Sequence, residues 1–263
     1  MPGWRRRSAW RSVWRSLAVL LAVGLAVLPT AAQEKRSGYD DAGPQVRAMQ
    51  DDDMANPAFL WVQQGAALWE RREAGARSCA DCHGAVEGMR GVAARHPAYD
   101  AARGRVVTLE QRVNLCRTER QGAAALAPES DALLGVVALV GLQSRGMPVE
   151  VDVSGVAGEA AARGEAFFHM RQGQLNLSCA QCHDQLAGQS LAGSRIPQGH
   201  ANAYPIYRLE WQGMGSLHRR LRACLVGVRA EPLGRDGALL GDLELFLAAR
   251  ARGLAVETPG VRP

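Results

Sequence analysis

Several things are scarce in this chain of 263 residues, and each scarcity excludes something. Lysine is almost absent: Lys35 is the only one among the 31 Lys and Arg residues. Aromatic residues make up 5% of the chain, so side-chain rings alone supply little flat apolar surface for a core of this size. No apolar run reaches the roughly 20 residues that span a bilayer. No stretch alternates β-branched and polar residues over strand length, which removes the main signature of a sheet protein. No acid occurs in the first fifteen residues, which hold Arg5, Arg6, Arg7, Arg11 and Arg15. Without those five arginines, 26 positive charges face 26 acidic ones. The formal +5 is therefore a property of the N-terminus, and a nucleic-acid partner loses its electrostatic support.

The basic start is followed by an apolar run from Leu17 to Leu28 and then by Pro29-Thr30-Ala31-Ala32. A basic region, a short apolar segment and small residues before a cleavage point describe a secretory signal peptide. Residues 1–32 are expected to be that peptide, with cleavage after Ala32 and release into the periplasm without membrane insertion. Residues 33–50 form an N-terminal extension. Two domains are expected after it, over 51–147 and 158–263, with a linker at 148–157.

The division into two rests on an internal repeat. Cys79-Ala-Asp-Cys82-His83 and Cys179-Ala-Gln-Cys182-His183 are copies of one pattern set 100 residues apart. C-x-x-C-H is the attachment signature of c-type haem: both thiols bond to the porphyrin, and the adjacent His ligates the iron. A zinc site does not need His directly after the second Cys in both copies, and a thioredoxin-like pair expects a βαβ context. The repeat extends outward. Gln64-Gly65-Ala66-Ala67-Leu68-Trp69 matches Arg163-Gly164-Glu165-Ala166-Phe167-Phe168, and Leu109-x-x-Arg112-x-x-x-Cys116 matches Leu217-x-x-Arg220-x-x-x-Cys224. Each half reads as helix, haem motif, loop, helix with one further Cys, then a last helix over Ser130 to Ser144 or Gly237 to Arg250. The expected fold is all-α: two tandem class-I-like cytochrome c domains, each wrapping one haem c. Two porphyrins would replace the missing aromatic surface, so the apoprotein should fold poorly.

Cys116 and Cys224 remain. In an oxidising compartment two spare thiols can pair as a disulfide. Against that, each stands at the same place in its own half, 33 and 41 residues after the motif His. That placement favours ligation of iron by His83 with Cys116, and by His183 with Cys224, over the disulfide. Met147 and Met214 are the methionines far enough downstream to compete, but neither is repeated. They read as linker and core residues, and the unrepeated His96, His169, His200 and His218 as surface or packing residues. Arg112 and Arg220 each precede the spare Cys by four residues, one helical turn away on the same face. An Arg there can bind an oxyanion and favour the thiolate, or it can form an ordinary salt bridge.

At these residues the sequence resembles the SoxA family, the dihaem cytochrome c subunit of the SoxAX complex of sulfur-oxidising bacteria. Tyr204-Pro205-Ile206-Tyr207-Arg208-Leu209-Glu210-Trp211, Leu217 to Cys224, Arg229-Ala230-Glu231-Pro232 and the tail from Thr258 to Pro263 carry the likeness along with both haem motifs. The resemblance implies an L-cysteine S-thiosulfotransferase that joins thiosulfate oxidatively to a cysteine of the carrier SoxYZ and passes electrons to a downstream cytochrome c. It implies a heterodimer with SoxX and two haem c groups. It assigns Cys224 as second-haem ligand and persulfide nucleophile, Arg220 as substrate-binding residue, and Cys116 as first-haem ligand. Two other readings stay open: a thiosulfate dehydrogenase forming tetrathionate, and a dihaem electron carrier with no chemistry of its own.

Overall fold

The fold is taken from a computed structural model, which describes residues 34–73 and 75–263. The expected signal peptide lies outside these residues. The duplicated pattern becomes two helix pairs. In the first half, α2 (Phe59–Glu70) crosses α5 (Asp131–Leu142); in the second, α6 (Gly155–His169) crosses α8 (Ala238–Arg250). The remaining helices are α1 (Pro44–Asp51), α3 (Ala80–His83), α4 (Leu109–Cys116) and α7 (Leu217–Gly227).

Glycine explains why the repeat keeps Gly65 and Gly164. A Cβ on Gly65 would lie 2.2 Å from the Gly135 carbonyl oxygen of α5, and one on Gly164 would lie 2.2 Å from the Asp242 oxygen of α8. Each crossing brings backbone against backbone, and only a residue without a side chain fits. Nine consecutive residues of α5, Leu133 to Gly141, are buried, as are nine of α8, Leu240 to Ala248. A helix buried on all sides has no polar face, which fits the sequence Leu133-Leu134-Gly135-Val136-Val137 but fits Asp242 and Glu244 poorly.

The start of each Cys-bearing helix is set by a cap. Thr108 forms a capping box with Gln111 at the head of α4: its Oγ1 accepts from the Gln111 amide at 3.2 Å, and its amide donates to Gln111 Oε1 at 3.1 Å. Ser216 Oγ accepts from the Arg219 amide at 3.1 Å at the head of α7. Ser130 caps α5 in the same way, through the Leu133 amide at 3.3 Å.

Helices form the framework, as expected, and short strands decorate it. β1 (Ala98–Asp100) pairs antiparallel with β2 (Arg105–Val107), and β3 (Ser190–Leu191) with β4 (Ser194–Arg195). β5 (Ile206–Arg208) lies between β6 (Gly213–Gly215), antiparallel, and the C-terminal β7 (Gly260–Arg262), parallel. Segments of two or three residues are too short to produce a period-2 pattern, so they left no sequence signal. β7 also ties down α1: Gln50 Oε1 accepts from the Val261 amide at 2.9 Å. The cross-strand link brings the chain end to the wall of the second half's cavity. No helix among the described residues is long and apolar enough to cross a membrane.

Candidate functional site: two Cys-x-x-Cys-His turns and one arginine-lined cavity

Both haem motifs open with the same local device. Ser178 Oγ accepts from the Gln181 amide at 3.3 Å while the Ser178 amide donates to Gln181 Oε1 at 2.8 Å. In the first half, Ser78 and Asp81 make the equivalent pair at 3.0 and 2.8 Å. The residue before the second Cys is thus a capping partner that starts the turn and aims both thiols. Arg72 makes a forked ion pair with Asp81, and this, with the Ser78 amide, holds the Asp81 carboxyl well below the usual carboxylate range.

In the second half, the His183 Nδ1–H donates to the Pro197 carbonyl at 2.7 Å. That bond fixes the tautomer and leaves Nε2 as the free lone pair, the arrangement of a histidine that ligates a metal. Gly199 is needed beside it, because a Cβ there would sit 3.1 Å from the imidazole. His183, Cys179, Arg220 and Cys224 all line one cavity, whose apolar wall includes Phe168, Leu221, Leu243 and Leu247. Its non-atom space, open mouth included, is about 1150 Å³. Burial and the nearby Cys224 push the Cys179 thiol up to about 11. Apolar walls, the Cys179 motif thiol, a tautomer-fixed imidazole and a thiol on the following helix fit a covalently held porphyrin, although Cys182 is not among the residues that line the cavity.

The first half has the same donor set in a more open setting. Cys79 is buried and its Sγ accepts from Gln121 Nε2 at 3.3 Å, whereas Cys82 and His83 are exposed. The His83 ring lies tilted on Trp69, 5.8 Å between centroids, and Trp69 Nε1 donates to the Gly84 carbonyl at 3.0 Å. Cys116 ends α4, where burial raises its thiol and Arg112 opposes that rise. All six cysteines are free, so Cys116 and Cys224 are not joined. Met214 packs in the core around α2 and α5, and Met147 in the core under α6 and α8; neither lines the second cavity.

The two repeat arginines differ. Arg112 Nη2 donates to Asp100 Oδ2 at 2.8 Å and is thereby occupied. Arg220 makes no hydrogen bond or ion pair among the described residues and faces the cavity one turn from Cys224. Sequence reasoning missed the residues that accompany it. Arg208 and Arg262 reach the cavity through β5 and β7, Arg195 stands at its exposed rim, and burial with the Arg220 charge lowers the Arg208 guanidinium's affinity for its proton. Tyr204 is half-buried in the cavity wall, with its phenol pushed up to about 12, chiefly by desolvation. His200, read from sequence as a packing residue, also lines the cavity; its Nε2 meets Gln198 Oε1 at 3.1 Å and its Nδ1 is buried without a partner. Arg208 is paired with Glu210 and Arg262 with Glu257, so inside the rim Arg220 is the guanidinium whose side chain has no partner among the described residues, and it is the one that favours a small oxyanion.

The cytochrome c domain family described as SoxA/TsdA matches residues 64–149 and 163–256, one match per half. The L-cysteine S-thiosulfotransferase subunit SoxA of Rhodovulum sulfidophilum is 38% identical, over 90% of this chain and 83% of that protein. The chain belongs to the SoxA family. The SoxA subunit of Pseudaminobacter salicylatoxidans is 36% identical, over 87% of this chain and 81% of its own. The crystal structure of SoxXA from P. pantotrophus superposes with a TM-score of 0.83 at 36% identity, covering 86% of each chain. As a cytochrome c domain protein, this SoxA-family chain uses haem c.

Proposed function

We propose that the chain is the catalytic haem subunit of a periplasmic L-cysteine S-thiosulfotransferase. Two haem c groups are held, one by Cys79, Cys82, His83 and Cys116 and one by Cys179, Cys182, His183 and Cys224. Its partners are a SoxX subunit, the carrier SoxYZ and a downstream cytochrome c. The observation that carries the reading is the placement of an unpaired Arg220 and Cys224 on one face of α7, in a cavity shared with His183 and Cys179.

The overall change is R–SH + S₂O₃²⁻ → R–S–S–SO₃⁻ + H⁺ + 2e⁻, with R–SH the carrier cysteine. Arg220 binds the sulfonate oxygens through its fork of donors, setting the terminal sulfur towards Cys224. Cys224 is the nucleophile and works as a persulfide, whose lower pKa keeps it anionic. Arg208 adds positive charge at the wall, and the apolar side of the cavity limits water. The haem, when bound, supplies one-electron acceptance and a route for electrons towards the partner cytochrome.

Cys224→Ser is expected to abolish thiosulfate-dependent reduction of cytochrome c in the presence of carrier while two haems stay attached. Full turnover in that variant would end the assignment. Product analysis with and without carrier separates conjugation from tetrathionate formation: a tetrathionate product that needs no carrier favours the dehydrogenase reading.

A further inference from the structure

Behind the second haem cavity lie two acids with no evident place in it. Of the two acids in the buried run of α8, Asp242 is held by Arg163 Nε at 2.7 Å. Glu244, 4% exposed, makes no hydrogen bond or ion pair among the described residues. It faces Glu110, in the first turn of α4, whose partner is the Thr108 hydroxyl at 3.4 Å. The nearby cation, Arg235, is engaged by Glu129 at 3.2 Å. Desolvation is the main cause that raises both carboxyls; the Glu129 charge then raises Glu110, to about 7, and Glu110 with Glu129 raises Glu244, so the pair keeps a proton near neutrality. The other titratable or charged groups facing them are His96 below α4, His218 on α7, Arg105 on β2 and Asp236 before α8.

The pair stands between two further cavities. The first, about 80 Å³, shares Tyr204 and Leu217 with the haem cavity and is bordered by both acids. The second, about 230 Å³, shares Thr108, Glu110 and Glu244 with the first and reaches the exposed Thr118 and Asp236. Roughly 10–15 Å³ holds one water, so both have room for several. Each also carries a buried polar atom without a partner: Asn202 Oδ1 in the first and His218 Nδ1 in the second, on side chains of residues 5% and 7% exposed. Such atoms, facing spaces that both carboxyls also border, call for ordered water.

We propose that this string of cavities is a proton exit from the second haem site, with Glu110 and Glu244 as its proton-holding relay. The inference rests on the conjugation reading above. Forming the S–S bond breaks the carrier's S–H bond, and electrons and proton then part: two electrons leave through the haems, and one proton is left in a site whose mouth the carrier covers. The Tyr204 hydroxyl passes that proton inward by exchanging hydrogen bonds, without ionising. Water held by Asn202 Oδ1 delivers it to the carboxyl pair, and water held by His218 Nδ1 takes it to solvent.

The test uses the holoprotein in complex with its SoxX subunit, with Glu110→Gln, Glu244→Gln, the double variant and Tyr204→Phe. Infrared difference spectra across neutral pH should show a protonated carboxyl band in the wild type that the double variant lacks. With carrier and thiosulfate, proton release in a single turnover, followed with an indicator dye, should be slowed several-fold in the double variant and in Tyr204→Phe, with the thiosulfate KM unchanged in the double variant. The single Gln variants give the same readouts if the double variant does not fold. A carboxyl band that survives in the variants, or proton release at the wild-type rate, overturns the proposal. Those outcomes leave the Cys224 assignment intact, whereas full turnover in Cys224→Ser removes that assignment itself.

Discussion

The close crossing of α6 and α8 at Gly164 gives the sharpest stability test. In Gly164→Ala, the new Cβ would stand 2.2 Å from the Asp242 oxygen, 2.6 Å from its carbonyl carbon and 2.9 Å from Leu243 Cα. An unstrained carbon–oxygen contact is about 3.3 Å or more, so α6 and α8 must separate by roughly 1 Å. The obstacle is helix backbone, which cannot rotate away as a side chain can. Overpacking of a closed core costs about 1–3 kcal/mol, with a backbone clash at the upper end. Alanine returns about 1 kcal/mol of helix propensity. The net loss is therefore about 2 kcal/mol, which lowers Tm by about 4–8 °C for a chain of this size. Gly227→Ala is the control, because a Cβ there meets nothing within 4 Å. Urea and thermal unfolding of the two holoproteins, run side by side, make the comparison. A Gly164→Ala midpoint at or above the wild-type value, or equal to that of Gly227→Ala, would refute the close-crossing argument. Leu243 and Leu247 of α8 line the second half's cavity, so under the proposed haem placement the same variant should also disturb the ferric haem spectrum.

Three other outcomes follow from named contacts. Glu129 accepts from the Ser216 amide at 3.2 Å and from Arg235 at 3.2 Å, and it accepts from the Ser216 hydroxyl as well, so Glu129→Ala should cost about 1–2 kcal/mol in urea unfolding and loosen the head of α7. Arg220→Ala should nearly abolish thiosulfate turnover; Arg112→Ala should leave it and lose only the Asp100 ion pair, as kinetics on both variants will show. The folded pKa of Glu110 lies above its unfolded value, so the folded state holds a proton that the unfolded chain has released. That contribution is complete below about pH 4.5 and is lost as pH rises to about 7, a change of roughly 3 kcal/mol. Urea midpoints across that range should fall with pH in the wild type and much less in the Glu110→Gln, Glu244→Gln double variant. The Asp100 carboxyl, lowered chiefly by Arg112, acts with opposite sign and only below about pH 4, outside that window.

The parts legible in the sequence were those fixed by local chemistry and stated twice. Gly65 and Gly164, the Cys-x-x-Cys-His turns, and the Arg and Cys at matching helical positions each occur in both halves, and the repeat exposed them. Features made by chain segments far apart left no trace. β5 meets β7 more than fifty residues later in the chain, and that pairing brings Arg208 and Arg262 to the cavity. Asp242 and Glu244 carried no signal of burial in the sequence; they are buried because α8 is enclosed on all sides. His200 gave no periodic or motif signal, since a short loop and the Gln198 contact place it.

The duplication also bears on which half does the chemistry. Helix crossing, helix cap, Cys-x-x-Cys-His turn, arginine and following cysteine are common to both halves, so none of them can make the halves differ. The differences are few. Arg112 meets Asp100, the last residue of β1, and its charge is satisfied before any ligand arrives. Arg220 meets no acid, and the strands that end near it bring further arginines. His83 is exposed beside Trp69, whereas His183 is half-buried and held by the Pro197 carbonyl. A single ion pair thus separates an arginine free to bind an oxyanion from one that cannot. Replacing Asp100 by Asn should free Arg112, and with it one of the two contacts of Arg103, without moving the chemistry to the first half, because His83 there is exposed and the cavity shared by His183, Arg220 and Cys224 belongs to the second. Thiosulfate turnover in Asp100→Asn should still depend entirely on Cys224.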